Sequence, residues 1–440
     1  MGYNSSGKKP IEFAGKTGHS EFIDEESKKF LSHCYIPQQK FDLNNFSNLF
    51  NALDEKDSNI KYVIAIDGGL SSITAKKFPS SKLVAIKIGA LFLDLKKIEN
   101  LKDKEFISPK EINTIKDAAK SKFILPVKNI MNDNYESFTH FVRSTIFNFF
   151  SKENFNLASA LKWLIFREFR DIPENEWNLA THPINPNIKN IKLKRSEFVN
   201  FVTNNNGEIY ITDILRLHEL IDEDTGAEGI VNYLLSAIEQ LLMIFIIKEI
   251  YTRNPSKLSE FLFILDRPLA FFGQTANLHK PMREMIVYFL LKGIELNIIG
   301  IEKSGAFVEH AKILSEENVL KKGEYILLSN DYIYKNILPR LYNDENLYGR
   351  TTYYGGKVIF NSKYENINVC TIPIKNYDKI KNPNVEDFVN LNEILNIIQT
   401  LKCNMYENSI LPIALINNAV SISKYPGEIS LKRFFKSILN

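Results

Sequence analysis

Residues 261–301 read FLFILDRPLAFFGQTANLHKPMREMIVYFLLKGIELNIIGI. FLFIL (261–265) is an unbroken apolar run, the pattern of a central strand buried on both faces, and LNIIGI (296–301) repeats it. The stretch between them predicts a helix over about 277–292. Two strands joined through a helix pair in parallel, because a tight hairpin cannot return the chain in the same direction. Working outward, helices are expected over 230–252 and about 305–318. KYVIAID (61–67) and LVAIKIGALFL (83–93) add two strands, and YILLS, KVIFN and NVCTIPI follow after 325, with a last helix near 386–402. The expected class is α/β, a mixed sheet flanked by helices.

Length and composition bound what this sheet serves. The chain has 440 residues, 44% hydrophobic and 24% charged, with 55 basic against 52 acidic residues. A substantial core is affordable, and the net +3 draws no polyanion by itself, so any such site must be local. Cys34, Cys370 and Cys403 are too few and too scattered for a disulfide framework or a metal knuckle. The first residues lack a secretory apolar core, which predicts a cytoplasmic protein. The apolar window 234–250 is interrupted by Glu239, Lys248 and Glu249, so it reads as a buried helix and no membrane is expected. Four regions are expected: a polar appendage over 1–60 with a helix near Leu43–Leu53, the first core strands over 61–95, a mostly helical insertion over 96–229, and the remainder of the core over 230–440.

Four residues carry the chemistry. Asp67 ends a predicted strand before Gly68-Gly69, which places it either at a sheet edge open to a ligand or in an Asp-Gly hairpin turn. Asp266 ends FLFIL, where a carboxylate must be capped, paired or bound to a cation. Glu239 has Leu235, Ser236, Leu242 and Met243 as its i±3 and i±4 neighbours, which turns it toward the interior. Lys303 ends a third strand. Together they form hard oxygen donors suited to Mg²⁺ or Mn²⁺, with an ammonium beside them. Paired cations of this kind hydrolyse phosphodiesters, and an RNase H-like arrangement brings acids together in this way. The segment 181–195 reads as a basic loop whose Lys189, Lys192, Lys194 and Arg195 either meet phosphates or are simply solvated. The seven histidines show no zinc spacing, and there is no Walker A loop or nucleophile elbow.

Several segments, in order, resemble the NurA nuclease family: VIAIDGG (63–69), EIYITDILRLHELID (208–222) with AIEQLL (237–242), FILDRPLAFFGQTANLH (263–279), GIEKSGAFVEHA (300–311), YGRTTYYGGKVIF (348–360) and LPIALINNAVSIS (411–423). The resemblance implies an RNase H-like nuclease core, a divalent metal, DNA as substrate, a homodimer and a HerA-like hexameric ATPase as partner, in DNA repair or antiviral defence. Carried over by position, Asp67, Glu239 and Asp266 match the family's metal-holding acids and Lys303 its later lysine, with Glu249 as the alternative helical acid. The family's C-terminal tyrosine and histidine are Leu411 and Ala419 here, so a role for that pair does not transfer.

Other readings compete. IDGGLSSIT (66–74) resembles the first phosphate loop of actin-like and sugar-kinase ATPases, with DTGAEG (224–229) as the nearest second loop. A PD-(D/E)xK nuclease would use Asp266, Glu302 and Lys303, but adjacent strand residues point to opposite faces. A DNA clamp or scaffold with a decayed site is the non-enzymatic alternative.

Overall fold

A computed structural model of the chain describes residues 23–34, 49–54, 58–99, 117–204, 207–339, 346–364, 366–402, 410–423 and 427–438. Met1–Phe41 and Asp42–Asn440 are separate compact units. In the first, helix α1 (Glu25–Ser32) starts at Asp24, whose side chain accepts the Ser27 N–H at 2.7 Å. Cys403 and most of the helix expected near Leu43–Leu53 lie outside the described residues. Phe50–Ala52 is a short strand.

Among the described residues the second unit is organised by thirteen strands: β1 (Phe50–Ala52), β2 (Tyr62–Lys76), β3 (Ser81–Asp94), β4 (Asp117–Lys128), β5 (Glu176–Thr181), β6 (Lys189–Lys194), β7 (Val202–Thr203), β8 (Ile209–Tyr210), β9 (Phe261–Leu265), β10 (Asn297–Glu302), β11 (Glu324–Leu327), β12 (Gly355–Asn361) and β13 (Ile367–Pro373). Nine form one sheet in the order β1-β11-β12-β13-β10-β9-β2-β3-β4. β2, β3 and β4 are an antiparallel meander, while β9 and β10 run parallel to β2. Numbered by their own succession, these five strands lie 3-2-1-4-5, the RNase H-like order. β13, β12, β11 and β1 extend the sheet antiparallel beyond β10.

The longer helices among the described residues are α2 (Phe138–Phe150), α3 (Leu157–Ile165), α4 (Val231–Arg253), α5 (His279–Leu291), α6 (Ala306–Glu316), α7 (Leu391–Thr400), α8 (Leu411–Val420) and α9 (Ile429–Ile438). Helix α4 shares a core with Ile64, Ile66, Ile86, Ile88, Phe263 and Leu265 on one face of the sheet. Helices α7 and α8 cover Val63, Ala65, Leu91, Leu262 and Ile264 on the other. By length and composition Glu228–Arg253 could cross a membrane, but most of it is buried inside the fold, as an apolar helix covered on every side must be.

Three expectations are corrected. First, β2 does not stop at Asp67, and the residue is at neither a sheet edge nor a hairpin turn. The strand runs on to Lys76 between β9 and β3. Gly68 and Gly69 serve close packing: a Cβ on Gly68 would lie 2.6 Å from Leu235 Cδ1, and one on Gly69 would lie 2.5 Å from the Val420 carbonyl oxygen. This also removes the phosphate-loop reading of 66–74, and Asp222–Gly226 closes into a tight turn of its own. Second, the segment 96–229 supplies β4, a strand of the main sheet, as well as helices α2 and α3. Third, the basic loop at 181–195 is largely a hairpin, in which β6 buries Ile191 and Leu193 and turns Lys192 and Lys194 outward.

Candidate active site

The parallel pairing of β2 with β9 ends at Ile66 opposite Leu265, so Asp67 and Asp266 are the next residue on each of two neighbouring strands. Lys303 follows the end of β10, on the far side of β9. Glu239 reaches in from α4 over Gly68, where a Cβ would sit 2.9 Å from its Oε1. A side chain at position 68 would therefore displace this carboxylate.

Arg267, next to Asp266 in sequence, completes the group. Its Nε is ion-paired with Glu239 Oε2, while Lys303 Nζ is ion-paired with Asp266 Oδ2. The backbone turn that carries Arg267 crosses β10 at Gly300, where a Cβ would lie 2.3 Å from the Arg267 carbonyl oxygen. Gln240 then ties this turn to α4: its amide donates to the Ala270 carbonyl at 2.9 Å and its oxygen accepts from the Tyr354 hydroxyl at 2.9 Å. An arginine directly after a strand-end acid was the available signal, but its partner is 28 residues back on another element.

The electrostatics are those of acids held together without full compensation. Burial, followed by the nearby Asp266, raises the Asp67 pKa to about 6, although Asp67 Oδ1 accepts the Gly68 N–H at 2.8 Å. Burial raises Glu239 to about 8 against the pull of Arg267, and Asp67 adds to the rise. Asp266 is also raised, by burial, in opposition to Lys303 and Arg267. Glu239 is 1% exposed; Arg267 engages its Oε2, while its Oε1 and Asp266 Oδ1 are buried without a hydrogen bond. Such oxygens are costly unless a further donor or cation joins them.

The four predicted residues thus share one neighbourhood, but the acids are not drawn into a closed cage. Among the described residues no group of three or more His, Cys, Asp or Glu side chains is placed to hold a metal ion. Instead, the arginine and the lysine each engage one carboxylate. The hard oxygen donors and the unpartnered oxygens suit Mg²⁺ or Mn²⁺ in chemistry. Glu249, the alternative helical acid, lies ten residues further along α4 and pairs with Arg253 at 3.2 Å. Leu411 and Ala419 pack against the apolar core.

The basic hairpin is differently placed. Lys192 pairs with Glu176 at 3.2 Å, Arg195 lies 4.0 Å from Glu168, and Lys189 donates to Thr181 Oγ1 at 3.3 Å. Lys194 and Arg195 line a pocket of about 350 Å³ with Lys162 and Glu168. Three histidines, His140, His182 and His218, line a larger cavity of about 1160 Å³. Their hydrogen bonds run to protein: His182 Nδ1 accepts from Ile184 N and Asn185 N, and His218 Nε2 donates to the Thr181 carbonyl.

No family model matches the chain, and neither does any curated protein. Among solved structures, the NurA nuclease from Sulfolobus solfataricus aligns over 96% of each chain at 10% identity, with a TM-score of 0.38. A second NurA structure aligns over 96% of this chain and 97% of that one at 10% identity and 0.32, and a structure of NurA with manganese over 96% and 98% at 13% and 0.31. These superpositions are loose. In solved structure, as in sequence motifs, the chain is similar to the NurA nucleases.

Proposed function

We propose that the chain is a divalent-metal-dependent deoxyribonuclease that processes DNA ends. The observation that carries this reading is that Asp67 and Asp266 are next to one another on neighbouring strands, with Glu239 electrostatically coupled to both from α4 and with Arg267 and Lys303 each engaging one acid. Asp67, Glu239 and Asp266 would hold the cation, which when bound activates water and polarises the phosphodiester. Lys303, with 41% of its side chain exposed, is the cation most open to an arriving phosphate, and Arg267, at 23%, stands behind it. Both are drawn from a carboxylate toward the phosphate as substrate enters, which frees the acid oxygens they cover. The manganese of one similar solved structure makes Mn²⁺ the first ion to try. A homodimer and a HerA-like hexameric ATPase belong to this proposal on the sequence resemblance.

Linear DNA incubated with the purified chain and Mn²⁺ should be degraded with or without ATP, and cutting should stop in EDTA. Cutting that requires ATP, or that survives EDTA, overturns the assignment. A decayed DNA clamp is the second reading, favoured by the apolar Leu411 and Ala419. It predicts DNA binding with no turnover in any divalent metal.

A further inference from the structure

The sheet register places a set of lysines on the same face as Asp67. Asp67 is paired with Gly89 on β3, and Gly89 with Lys120 on β4. Two residues along, Gly69 is paired with Lys87, and Lys87 with Lys122. Directly paired residues of an antiparallel ladder point to one side of the sheet, so Lys87, Lys120 and Lys122 share the face of Asp67. The two positions between the acid and the lysines are glycines, with Val420 at the end of α8 seated on them. Beyond that seat Lys87 is half-buried, and Lys120 and Lys122 are exposed.

These lysines are held together without acids. No carboxylate pairs with any of the three among the described residues, and Lys120 and Lys122 repel the charge on Lys87. Lys152 belongs to the opposite face, its ammonium 5.2 Å from the Phe149 ring centroid and its Nζ donating to the Lys122 backbone carbonyl at 3.3 Å. The three lysines differ from the basic hairpin, where acids already engage Lys192 and Arg195. From Asp67 to Lys120 is two strand spacings, roughly 10 Å, and Lys120 to Lys122 is roughly 7 Å along one strand. Lys87 and Lys122 are directly paired across β3 and β4, one strand spacing of roughly 5 Å apart, so the three lysines make a compact basic cluster spaced on the scale of successive phosphates on an extended strand.

Resting on the nuclease reading, we propose that Lys87, Lys120 and Lys122 form a track for the phosphate backbone of a single nucleic-acid strand leading to the acid cluster. The contacts are to phosphate, so the track is indifferent to base sequence.

The test is fluorescence anisotropy of a labelled oligothymidylate with the full chain in EDTA, over a range of salt. The Lys87→Gln/Lys120→Gln/Lys122→Gln variant should lower the slope of log affinity against log salt by about 2 and weaken binding on the order of 100-fold at 0.1 M salt. Its circular dichroism should match wild type. A Lys189→Gln/Lys192→Gln/Lys194→Gln variant should keep its affinity within about twofold. Unchanged slope and affinity in the first variant overturn the track, as does a wild-type chain that fails to bind the oligonucleotide. A first variant that binds normally but self-associates also overturns it, showing that the lysines merely guard the sheet edge. Loss of binding to phosphatidylserine vesicles with oligonucleotide binding intact overturns it in favour of a membrane surface. Hydrolysis of thymidine 5′-p-nitrophenyl phosphate with Mn²⁺ separates the two proposals. A chain that binds DNA through these lysines but hydrolyses neither ester nor DNA keeps the track and loses the nuclease.

Discussion

Two ion-pair systems meet at the end of β10, and they are built to opposite specifications. Glu302 and Lys303 are adjacent and point to opposite faces. Glu302 pairs with Lys357, which is 1% exposed, and also accepts from Thr371 Oγ1 at 3.4 Å. The Lys357 ammonium lies 4.2 Å from the Phe307 ring centroid and 4.8 Å from that of Tyr353. Its charge is therefore met by a carboxylate and by aromatic faces. On the other side Lys303 pairs with Asp266 and Arg267 with Glu239, yet Glu239 Oε1 and Asp266 Oδ1 stay without a hydrogen bond. The first system is closed and structural. The second retains acceptor capacity, which distinguishes a place for a ligand from a place for a strut.

The largest effect that sharpens this contrast is on turnover. Asp67→Ala or Asp266→Ala should lower Mn²⁺-dependent cleavage by on the order of 10⁴, the scale of losing one member of a catalytic unit, while the melting temperature does not fall. A variant that cuts at the wild-type rate removes its residue from the site. Next comes stability on the closed side. Lys357→Met should cost about 3–5 kcal/mol in denaturant unfolding by leaving Glu302 alone, and adding Glu302→Leu should recover most of it. An equal loss in the double variant would break the idea that the pair is replaceable packing.

A smaller effect concerns pH. Folding raises Asp67 from 3.8 to about 6 and Glu239 from 4.5 to about 8, so the folded chain holds these protons more tightly than the unfolded one. Their contribution is most favourable below pH 4 and is lost as pH rises through about 6 and then about 8. In EDTA, wild type should therefore gain melting temperature relative to Glu239→Gln between pH 8 and pH 5. Parallel melting curves for the two proteins would show that Glu239 ionises as if exposed. The smallest effect is at Glu249, where Glu249→Gln should change stability by less than about 0.5 kcal/mol and leave cleavage intact.

The sequence was informative where pattern is local. FLFIL and LNIIGI are fully apolar because both faces of their strands are covered, and their parallel pairing followed. Asp67, Glu239, Asp266 and Lys303 could be named because each breaks or ends an apolar run. β4 could not be read in DAAKSKFILPVK, since an edge strand half open to solvent carries lysines, and even Pro126, without alternating cleanly. Gly68-Gly69 looked like a turn because the need for bare backbone came from α4 and α8, which are remote in sequence. Arg267 is not singled out by its own stretch of sequence for the same reason: its charge has meaning only beside Glu239.

That bare backbone sets the tolerances of the site. One carboxylate hangs from a helix and two from the sheet, so the gap between those layers is the gauge that spaces them, and Gly68 lets the layers touch. A methyl group there would act as a shim, parting the acids while every strand stayed paired. Swelling of this single seam, by heat or by mutation, should silence the chemistry well before the sheet comes apart.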